Sequence, residues 1–132
     1  MPSNEDAPPR GDDRTTVAEL AALVQEFVDQ RDWSCYHSPK NLAMSIAIEA
    51  AELMEHFQWI DAEASRAIAN DPEKRAAAGE ELADVVGYCL AMAGALKVDL
   101  SDTVRAKMVR NHEKYPAEVF RGKPSYERPD GA

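Results

Sequence analysis

Apolar residues recur at helical spacing along most of the chain. The first such segment begins at Thr16, has Glu19 three residues later as a capping-box partner, and extends to about Arg31. It follows residues 1–13, a polar and proline-containing stretch that we expect to be a disordered tail. The pattern therefore predicts an amphipathic helix close to the start of the sequence.

Polar N-cap residues predict where three further helices begin. Ser38 and Asp71 are each followed by proline, which favours the first helical turn, and Ser101 is the third cap. We expect these helices to cover about residues 39–59, 72–96 and 102–115, with a shorter helical turn at 61–70. No segment has the two-residue period of a strand. The chain is therefore predicted to be all-α, with a four-helix bundle-like domain at 14–116 and an extended or disordered tail at 117–132.

The second predicted helix carries a polar stripe that is narrower than an ordinary solvated face. Its polar residues cover only about 60° of a helical wheel drawn at 100° per residue, with apolar residues on both sides. These residues are Ser45, Glu49, Glu52 and His56. A stripe of this kind indicates a site between apolar surfaces.

The third predicted helix contains an isolated carboxylate. Within the fifteen residues from Leu82 to Leu96, Asp84 carries the only charge. Glu81 lies three residues before Asp84 and Tyr88 four residues after it, so all three share one side of the helix. Burying such a carboxylate costs free energy unless it is paired or bound to a cation.

Two carboxylate pairs on successive helices are typical of one metal site. The pairs, Glu49 with Glu52 and Glu81 with Asp84, would converge if the two helices pack antiparallel. Oxygen ligands favour Mg²⁺, with Mn²⁺ as an alternative, over Zn²⁺. The simpler interpretation, in which the glutamates are ordinary surface residues and Asp84 accepts local hydrogen bonds, stays open at this point.

Composition narrows the classes of partner. The 132 residues fit one domain, and a net charge of −9 argues against binding to nucleic acid polymers or anionic membranes. A polyphosphate could still bind through divalent metal. Cys35 and Cys89 form no metal-binding pair, and no apolar stretch is long enough for a membrane span. The polar N-terminus does not have the pattern of a signal peptide, so we expect a cytoplasmic location.

Several sequence words carry a family resemblance over about residues 17–120. E-x-x-E at 49–52 and E-x-x-D at 81–84 are separated by 28 residues. Flanking words are RDW at 31–33, HSPKN at 37–41, FQW at 57–59, EELADVVGY at 80–88 and KMVRNHEKYP at 107–116. In these words the chain resembles the MazG-like all-α NTP pyrophosphatase family, and within it the dCTP pyrophosphatase branch.

The resemblance implies hydrolysis of a (deoxy)nucleoside triphosphate to the monophosphate and pyrophosphate, as in nucleotide-pool sanitation. It implies that Glu49, Glu52, Glu81 and Asp84 are the catalytic metal ligands, with Mg²⁺ as cofactor. It also implies substrate contacts by Trp33, His37, Asn41, Trp59, Tyr88, Lys107, Asn111, Lys114 and Tyr115. A homo-oligomer is expected, with a tetramer favoured over a dimer.

Several alternatives stay open. The substrate implied is dCTP or a related or modified pyrimidine deoxynucleotide, but Val24 stands where mammalian members of the branch carry a histidine. Another nucleotide such as dUTP is therefore an alternative substrate, and a non-catalytic helical interaction module is an alternative function. The lysines of the last helix could complement its dipole instead of binding phosphate. Glu55 and Glu80 are the candidates for a general base, with solvated neighbours as the simpler interpretation.

Overall fold

The computed structural model of the protein describes residues 11–127, and every regular element in that range is a helix. The α-helices are α1 (Val17–Asp29), α2 (Pro39–Glu55), α3 (Ala62–Ala67), α4 (Pro72–Leu96), α5 (Leu100–Lys114) and α6 (Ala117–Phe120), and 3₁₀ helices form at Ser34–Tyr36 and Ile68–Asn70. The all-α prediction is confirmed for the described residues. They form two compact units that divide between Val98 and Asp99. The predicted domain limits of 14 and 116 and the predicted four-helix arrangement stay predictions, as does the predicted disorder of 1–10, which lie outside the described residues.

Side-chain caps begin the helices of the first unit. Thr16 and Glu19 form the predicted capping box, in which each side chain accepts a hydrogen bond from the other residue's backbone N–H. The Ser38 hydroxyl and the Asp71 carboxylate each accept a hydrogen bond from the backbone N–H three residues on. The starts of α1, α2 and α4 therefore agree with the sequence prediction.

Two helix limits differ from the prediction. α2 ends at Glu55 instead of Trp59, because the backbone N–H groups of His56 and Phe57 bond to carbonyls three residues back and tighten the chain into a turn. The cap of α5 is Asp99 instead of Ser101, since the Asp99 carboxylate accepts a hydrogen bond from the Asp102 N–H. Aspartate is a strong N-cap residue, so the earlier start is favourable.

The segment after α5 is partly helical, which corrects the expectation of an extended or disordered tail from residue 117. Residues 117–120 form α6, and the N–H groups of Val119 and Phe120 bond to the carbonyl of Pro116. The ring of Phe120 packs edge-on against that of Tyr115, with 5.3 Å between centroids. Residues 128–132 of the predicted tail lie outside the described range.

The core of the first unit lies where α4 packs against α2 and α1. α4 contributes Ala78, Leu90 and Ala93 to it, α1 contributes Val28, and α2 contributes Leu42, which is 2% exposed. Many larger apolar side chains in the described residues stay exposed, for example Leu23 at 54% and Leu82 at 52%. The apolar surface buried within one chain is therefore small for a domain of this size.

Both α1 and α4 end in the same left-handed turn. Asp32 has φ 53° and the next residue, Trp33, donates its N–H to the Val28 carbonyl at 3.1 Å. After α4, Lys97 has φ 54° and Val98 donates to the Ala93 carbonyl at 2.9 Å. This is the Schellman pattern, which usually has glycine at the left-handed position. It stops each helix and turns the following side chain back toward the last turn.

The helices between residues 11 and 127 include none with the length and apolar character needed to span a lipid bilayer.

Candidate functional site

Three carboxylates converge where α2 packs against α4. Glu49 and Glu52 lie one turn apart on α2, and Glu81 lies on the facing side of α4. One carboxylate oxygen from each of the three lies within 4.8 Å of the others. Glu49 and Glu81 are half-buried, whereas Glu52 is exposed. The narrow stripe predicted on the second helix is therefore directed toward the third predicted helix.

The environment of Glu49 is unfavourable for a negative charge. Its Oε2 is buried and has no hydrogen-bond donor among the described residues. Burial, together with the neighbouring carboxyls of Glu52, Asp84 and Glu81, raises the pKa of Glu49 to about 7, and burial is the largest of these causes. Each of these influences disfavours the ionised form of Glu49, so its charge is costly in the described part of the chain.

Glu81 is affected in the same direction. Burial raises the pKa of its carboxyl, the charges of Glu52 and Asp84 add to this effect, and His56 opposes it. His56 lies four residues after Glu52 and therefore on the same side of α2. The cluster thus concentrates negative charge that one imidazole offsets only in part.

Asp84 lies beside the cluster without belonging to the group of three. Its charge raises the pKa of both Glu49 and Glu81, which places it within electrostatic reach of each. Asp84 and Glu49 also line the same cavity. Asp84 is therefore placed to contact a ligand that extends from the three carboxylates into the cavity.

The chemistry of these donors fits a divalent cation. Carboxylate oxygens are hard ligands of the kind that Mg²⁺ and Mn²⁺ prefer, and the described residues within the group supply no thiolate or imidazole. A cation would satisfy the unpartnered Oε2 of Glu49 and would offset the mutual repulsion of the carboxylates. Glu49, Glu52 and Glu81 are the residues that could hold it, with Asp84 next to them.

A cavity of about 380 Å³ opens next to the carboxylates, between α1 and α4. Glu49 and Asp84 lie at its border, and most of the remaining wall is apolar or aromatic. The other lining residues are Leu23, Val24, Phe27, Val28, Trp33, His37, Ala83, Gly87, Tyr88 and Ala91. A cavity of this size with an anionic border and an aromatic wall can hold a flat ring near a metal site.

Two aromatic pairs form part of the cavity wall. Phe27 and Trp33 meet edge to face, with 5.8 Å between ring centroids. His37 and Tyr88 pack with tilted rings whose centroids are 6.4 Å apart. Three of these residues, Trp33, His37 and Tyr88, are sequence-predicted substrate contacts, and the structure brings them into one cavity with Glu49.

Two other predicted substrate contacts of the first unit do not line this cavity. The Asn41 amide donates a hydrogen bond to the Tyr36 carbonyl at 3.1 Å and so ties the 3₁₀ turn to the start of α2. Trp59 is 88% exposed in the turn after α2. Their predicted contacts with substrate stay predictions.

The remaining predicted contacts belong to the second unit. On α5, Asn111 directs its amide at the Met108 sulfur at 3.7 Å, and Lys107 is exposed. The Lys114 ammonium lies 5.3 Å from the ring centroid of Tyr115, a cation–π contact. Lys107, Asn111 and Lys114 share the spacing of one helical face, as the sequence predicts.

Sequence reasoning missed part of the cavity wall. Phe27 and Val28 have no predicted role in the site, and of the wall that α4 contributes only Asp84 and Tyr88 are predicted. The rest of that wall consists of Ala83, Gly87 and Ala91, three small residues spaced four apart. Their spacing beside Asp84 could have indicated the cavity, because small residues on one face leave room between two helices. A methyl group added at Gly87 would lie 4.0 Å from Val24, in ordinary contact.

Comparison with known proteins gives consistent matches. Residues 44–123 match the model of the MazG-like family. The chain is 39% identical over 107 residues to dCTP pyrophosphatase 1 of Bos taurus, covering 81% of this chain and 63% of that protein. The match to dCTP pyrophosphatase 1 of Homo sapiens is 39% over 106 residues, covering 80% and 62%. The chain thus spans less than two thirds of the length of these curated relatives.

A solved structure is also similar to this chain. The crystal structure of a pyrophosphatase from Archaeoglobus fulgidus superposes with a TM-score of 0.70 and 36% sequence identity. The match covers 82% of this chain and 99% of that one. At this identity the likeness extends beyond the arrangement of helices to the sequence that forms them.

Proposed function

Because the chain belongs to the MazG-like family, we propose that it is a Mg²⁺-dependent nucleoside triphosphate pyrophosphohydrolase, which converts a (deoxy)nucleoside triphosphate and water to the monophosphate and pyrophosphate. The observation that supports this most is the convergence of Glu49, Glu52 and Glu81 beside an aromatic cavity. Its relatives named pyrophosphatases support the same reaction.

The proposed roles follow from the geometry. Glu49, Glu52 and Glu81 would hold the cation, and Asp84 would complete the set from the border of the cavity. When bound, a divalent cation supplies charge neutralisation of the triphosphate and activation of the attacking water. An unneutralised triphosphate would be repelled by the carboxylates, since all of these groups are negative.

The cavity would hold the base and sugar. The ring faces of Trp33 and Tyr88 can stack on a base, and His37 can donate or accept a hydrogen bond at its edge. The apolar side chains of α1 would exclude water from this part of the substrate. We extend the proposal to phosphate contacts by Lys107, Asn111 and Lys114, because they share one face of α5; Asn41, Trp59 and Tyr115 stay in it as substrate contacts on the resemblance alone.

We propose dCTP or a related or modified pyrimidine deoxynucleotide as substrate, because the similar proteins of Bos taurus and Homo sapiens are dCTP pyrophosphatases. The α1 side of the cavity carries Leu23, Val24, Phe27 and Val28, which have no side-chain donor or acceptor. Discrimination between cytosine and uracil needs such groups, so dUTP remains the alternative. Rates of pyrophosphate release from a panel of canonical and modified nucleotides distinguish the two.

The metal assignment is tested by Asp84→Asn and Glu52→Gln, each of which replaces an anionic ligand by a neutral isostere. We expect each to reduce Mg²⁺-dependent pyrophosphate release by more than about tenfold, because losing a metal ligand costs several kcal/mol of transition-state stabilisation. Glu73→Gln, in the first turn of α4, makes the same chemical change away from the cluster and serves as control. Activity of both ligand variants within about tenfold of wild type would contradict the assignment.

The other class of function is a helical interaction module without catalysis. Thermal shift separates it from the enzyme, since a ligand that binds the folded state raises its stability. Stabilisation by a nucleotide only when Mg²⁺ is present supports the enzyme. The interaction module is favoured if no nucleotide in the panel changes the melting temperature with or without Mg²⁺.

We also propose that the chain acts as a homo-oligomer, with a tetramer favoured. A second cavity of about 370 Å³ between α1 and α4 is lined only by glycine and apolar residues, among them Leu20, Leu82 and Val86. Leu82 is 52% exposed there and Val86 42%. Apolar surface of this extent on a small domain is typical of a subunit interface.

A further inference from the structure

Arg31 follows α1 and stacks on an aromatic side chain of its last turns. Its guanidinium carbon lies 3.7 Å from the ring centroid of Phe27, and its Nη1 donates a hydrogen bond to the Phe27 carbonyl at 3.0 Å. The same guanidinium is 6.0 Å from the ring of Trp33. Arg31 therefore contacts the Phe27 residue at two points and lies near Trp33 at the limit of a cation–π contact.

The backbone brings Trp33 to the same place. The left-handed Asp32 turns the chain, and the Trp33 N–H bonds to the Val28 carbonyl at 3.1 Å. The Trp33 and Phe27 rings then meet edge to face at a centroid separation of 5.8 Å and an interplanar angle of 73°. Arg31, Phe27 and Trp33 form one contiguous group, which we call the RFW cluster.

The RFW cluster forms part of the wall of the cavity beside the carboxylates. Phe27 and Trp33 line that cavity, whereas Arg31 does not. Trp33 is 45% exposed and Phe27 49%, so neither ring is fixed by burial in the core. The contact of Arg31 with Phe27 and the edge-to-face contact of Phe27 with Trp33 can therefore order these two rings where burial does not.

We propose that Arg31 is a positioning residue for the nucleotide, which fixes the Phe27 and Trp33 rings as a preformed wall for the base while contacting no substrate itself. The inference rests on the proposed function, because it assigns the cavity to the base. A wall that is ordered before binding lowers the entropic cost of binding the ring. Loss of Arg31 should therefore affect the KM for the nucleotide more than kcat.

The planar guanidinium is essential to this role. Arginine stacks flat on an aromatic face, whereas a lysine ammonium in the same place is a strongly hydrated point charge. Lysine could still interact with the carbonyls at the end of α1, which is the ordinary role of a basic residue at a helix C-terminus. Comparing the two residues separates stacking from simple capping.

The activity arm compares Arg31→Met, Arg31→Lys and wild type in full-length protein, with dCTP as the probe nucleotide. We expect both variants to raise KM on the order of fivefold, with kcat within about twofold of wild type, as expected from losing a cation–π stack of about one kcal/mol. The Mg²⁺ concentration for half activation should not change, because the carboxylates are untouched. Arg66→Met is the matched control, since it removes an exposed guanidinium that pairs with Glu63 on α3.

A fluorescence arm measures the position of Trp33 without any substrate. In a Trp59→Phe background Trp33 is the only tryptophan. We expect Arg31→Met and Arg31→Lys in that background to raise acrylamide quenching of Trp33 by about twofold, because the ring populates more open conformations. A role limited to capping α1 would lower the melting temperature of Arg31→Met and leave that of Arg31→Lys unchanged.

The two arms distinguish the possible failures. If wild type turns over dCTP but Arg31→Met has an unchanged KM, the positioning role is wrong. If Arg31→Lys has the KM of wild type, stacking of the guanidinium on Phe27 is not the cause of a raised KM in Arg31→Met. If wild type hydrolyses no nucleotide in the panel, the proposed function has failed, and the quenching arm alone decides whether Arg31 holds Trp33. Unchanged quenching in both variants contradicts the inference in every case.

Discussion

Glu49 combines a buried, unpartnered oxygen with three neighbouring carboxyls. Natural proteins tolerate such a group when it binds a cation or takes part in chemistry. Its raised pKa means that the folded protein holds a proton on Glu49 over a range of pH in which the unfolded chain releases it. The pKa of this one side chain therefore links pH to the stability of the fold.

Because the pKa of Glu49 is raised in the folded state, the free energy of unfolding changes with pH in a defined direction. Below pH 4.5, the ordinary value for Glu49, the carboxyl is protonated in both states and there is no cost. Between pH 4.5 and about 7 the folded state binds more protons, so the free energy of unfolding decreases as pH rises. Above about pH 7 the full cost of the buried charge is present.

Glu49→Gln should therefore stabilise the metal-free protein at high pH. In EDTA at pH 8 we expect a gain of about 1–2 kcal/mol over wild type, a range that allows for solvent screening at a half-buried site. At pH 4 the two proteins should differ by much less. Urea unfolding at the two pH values measures this, with Glu26→Gln on the exposed side of α1 as control. A difference that does not depend on pH would show that Glu49 titrates normally.

Mg²⁺ should reverse the order of stability at pH 8, so that wild type becomes more stable than Glu49→Gln. Metal binding requires the ionised carboxylate, so stabilisation of wild type by Mg²⁺ should be larger at pH 8 than at pH 5. Glu49→Gln should gain little at either pH, because one anionic ligand is missing. Melting temperatures over a Mg²⁺ titration measure the effect. Equal stabilisation of wild type and Glu49→Gln at pH 8 would exclude Glu49 as a ligand.

At the scale of the helices, much of the fold could be predicted because local signals agree with packing. Caps at Thr16, Ser38 and Asp71 set the starts of α1, α2 and α4 where the sequence places them. The spacing of carboxylates also indicated which sides of α2 and α4 face each other. These features are encoded within one or two helical turns, so a single sequence contains the information.

The parts that could not be predicted depend on geometry that local sequence does not specify. Asp32 adopts a left-handed conformation without being glycine, so nothing at residues 30–34 indicated that Trp33 turns back onto Phe27. Asp84 follows Glu81 by three residues, as Glu52 follows Glu49, yet only Glu81 joins the group of three carboxylates. The contact between α2 and α4 decides which of the two α4 carboxylates comes close enough. Tertiary packing decides such details.

The left-handed turn after α4 gives a prediction for an element. Lys97→Gly should raise the free energy of unfolding by about 0.5–1 kcal/mol, because glycine removes the steric cost of a left-handed residue and loses part of that gain to its own entropy. Lys97→Ala is the control, since alanine removes the same charge but keeps the Cβ atom. Chemical denaturation of the three proteins measures the difference. If alanine stabilises as much as glycine, the effect comes from charge and not from backbone conformation.

At the scale of the whole molecule, the described residues expose many more large apolar side chains than their small core buries, which favours association with a second chain. The buried core of the described residues consists of five side chains, and three of the helices that form it also present large apolar residues to solvent. α1 contributes Leu23 and Phe27, α2 contributes Met44 and Ile48, and α4 contributes Leu82 and Val86. Since apolar burial is the main favourable term in folding, covering these side chains with a second copy would raise the free energy of unfolding.

The proposed oligomer can be tested by introducing charge into the second cavity, the apolar groove between α1 and α4 that Leu20, Leu82 and Val86 line. We expect wild type to have four times the mass of one chain by light scattering, and Leu82→Glu to dissociate to a smaller species with a lower melting temperature. A carboxylate buried in an apolar interface without a partner costs several kcal/mol, which is enough to separate subunits. Ala76→Glu adds the same charge to an exposed position on the same helix and should leave the mass unchanged. A wild-type mass of one chain would contradict the proposed assembly, and an unchanged mass for Leu82→Glu would exclude this groove as the interface.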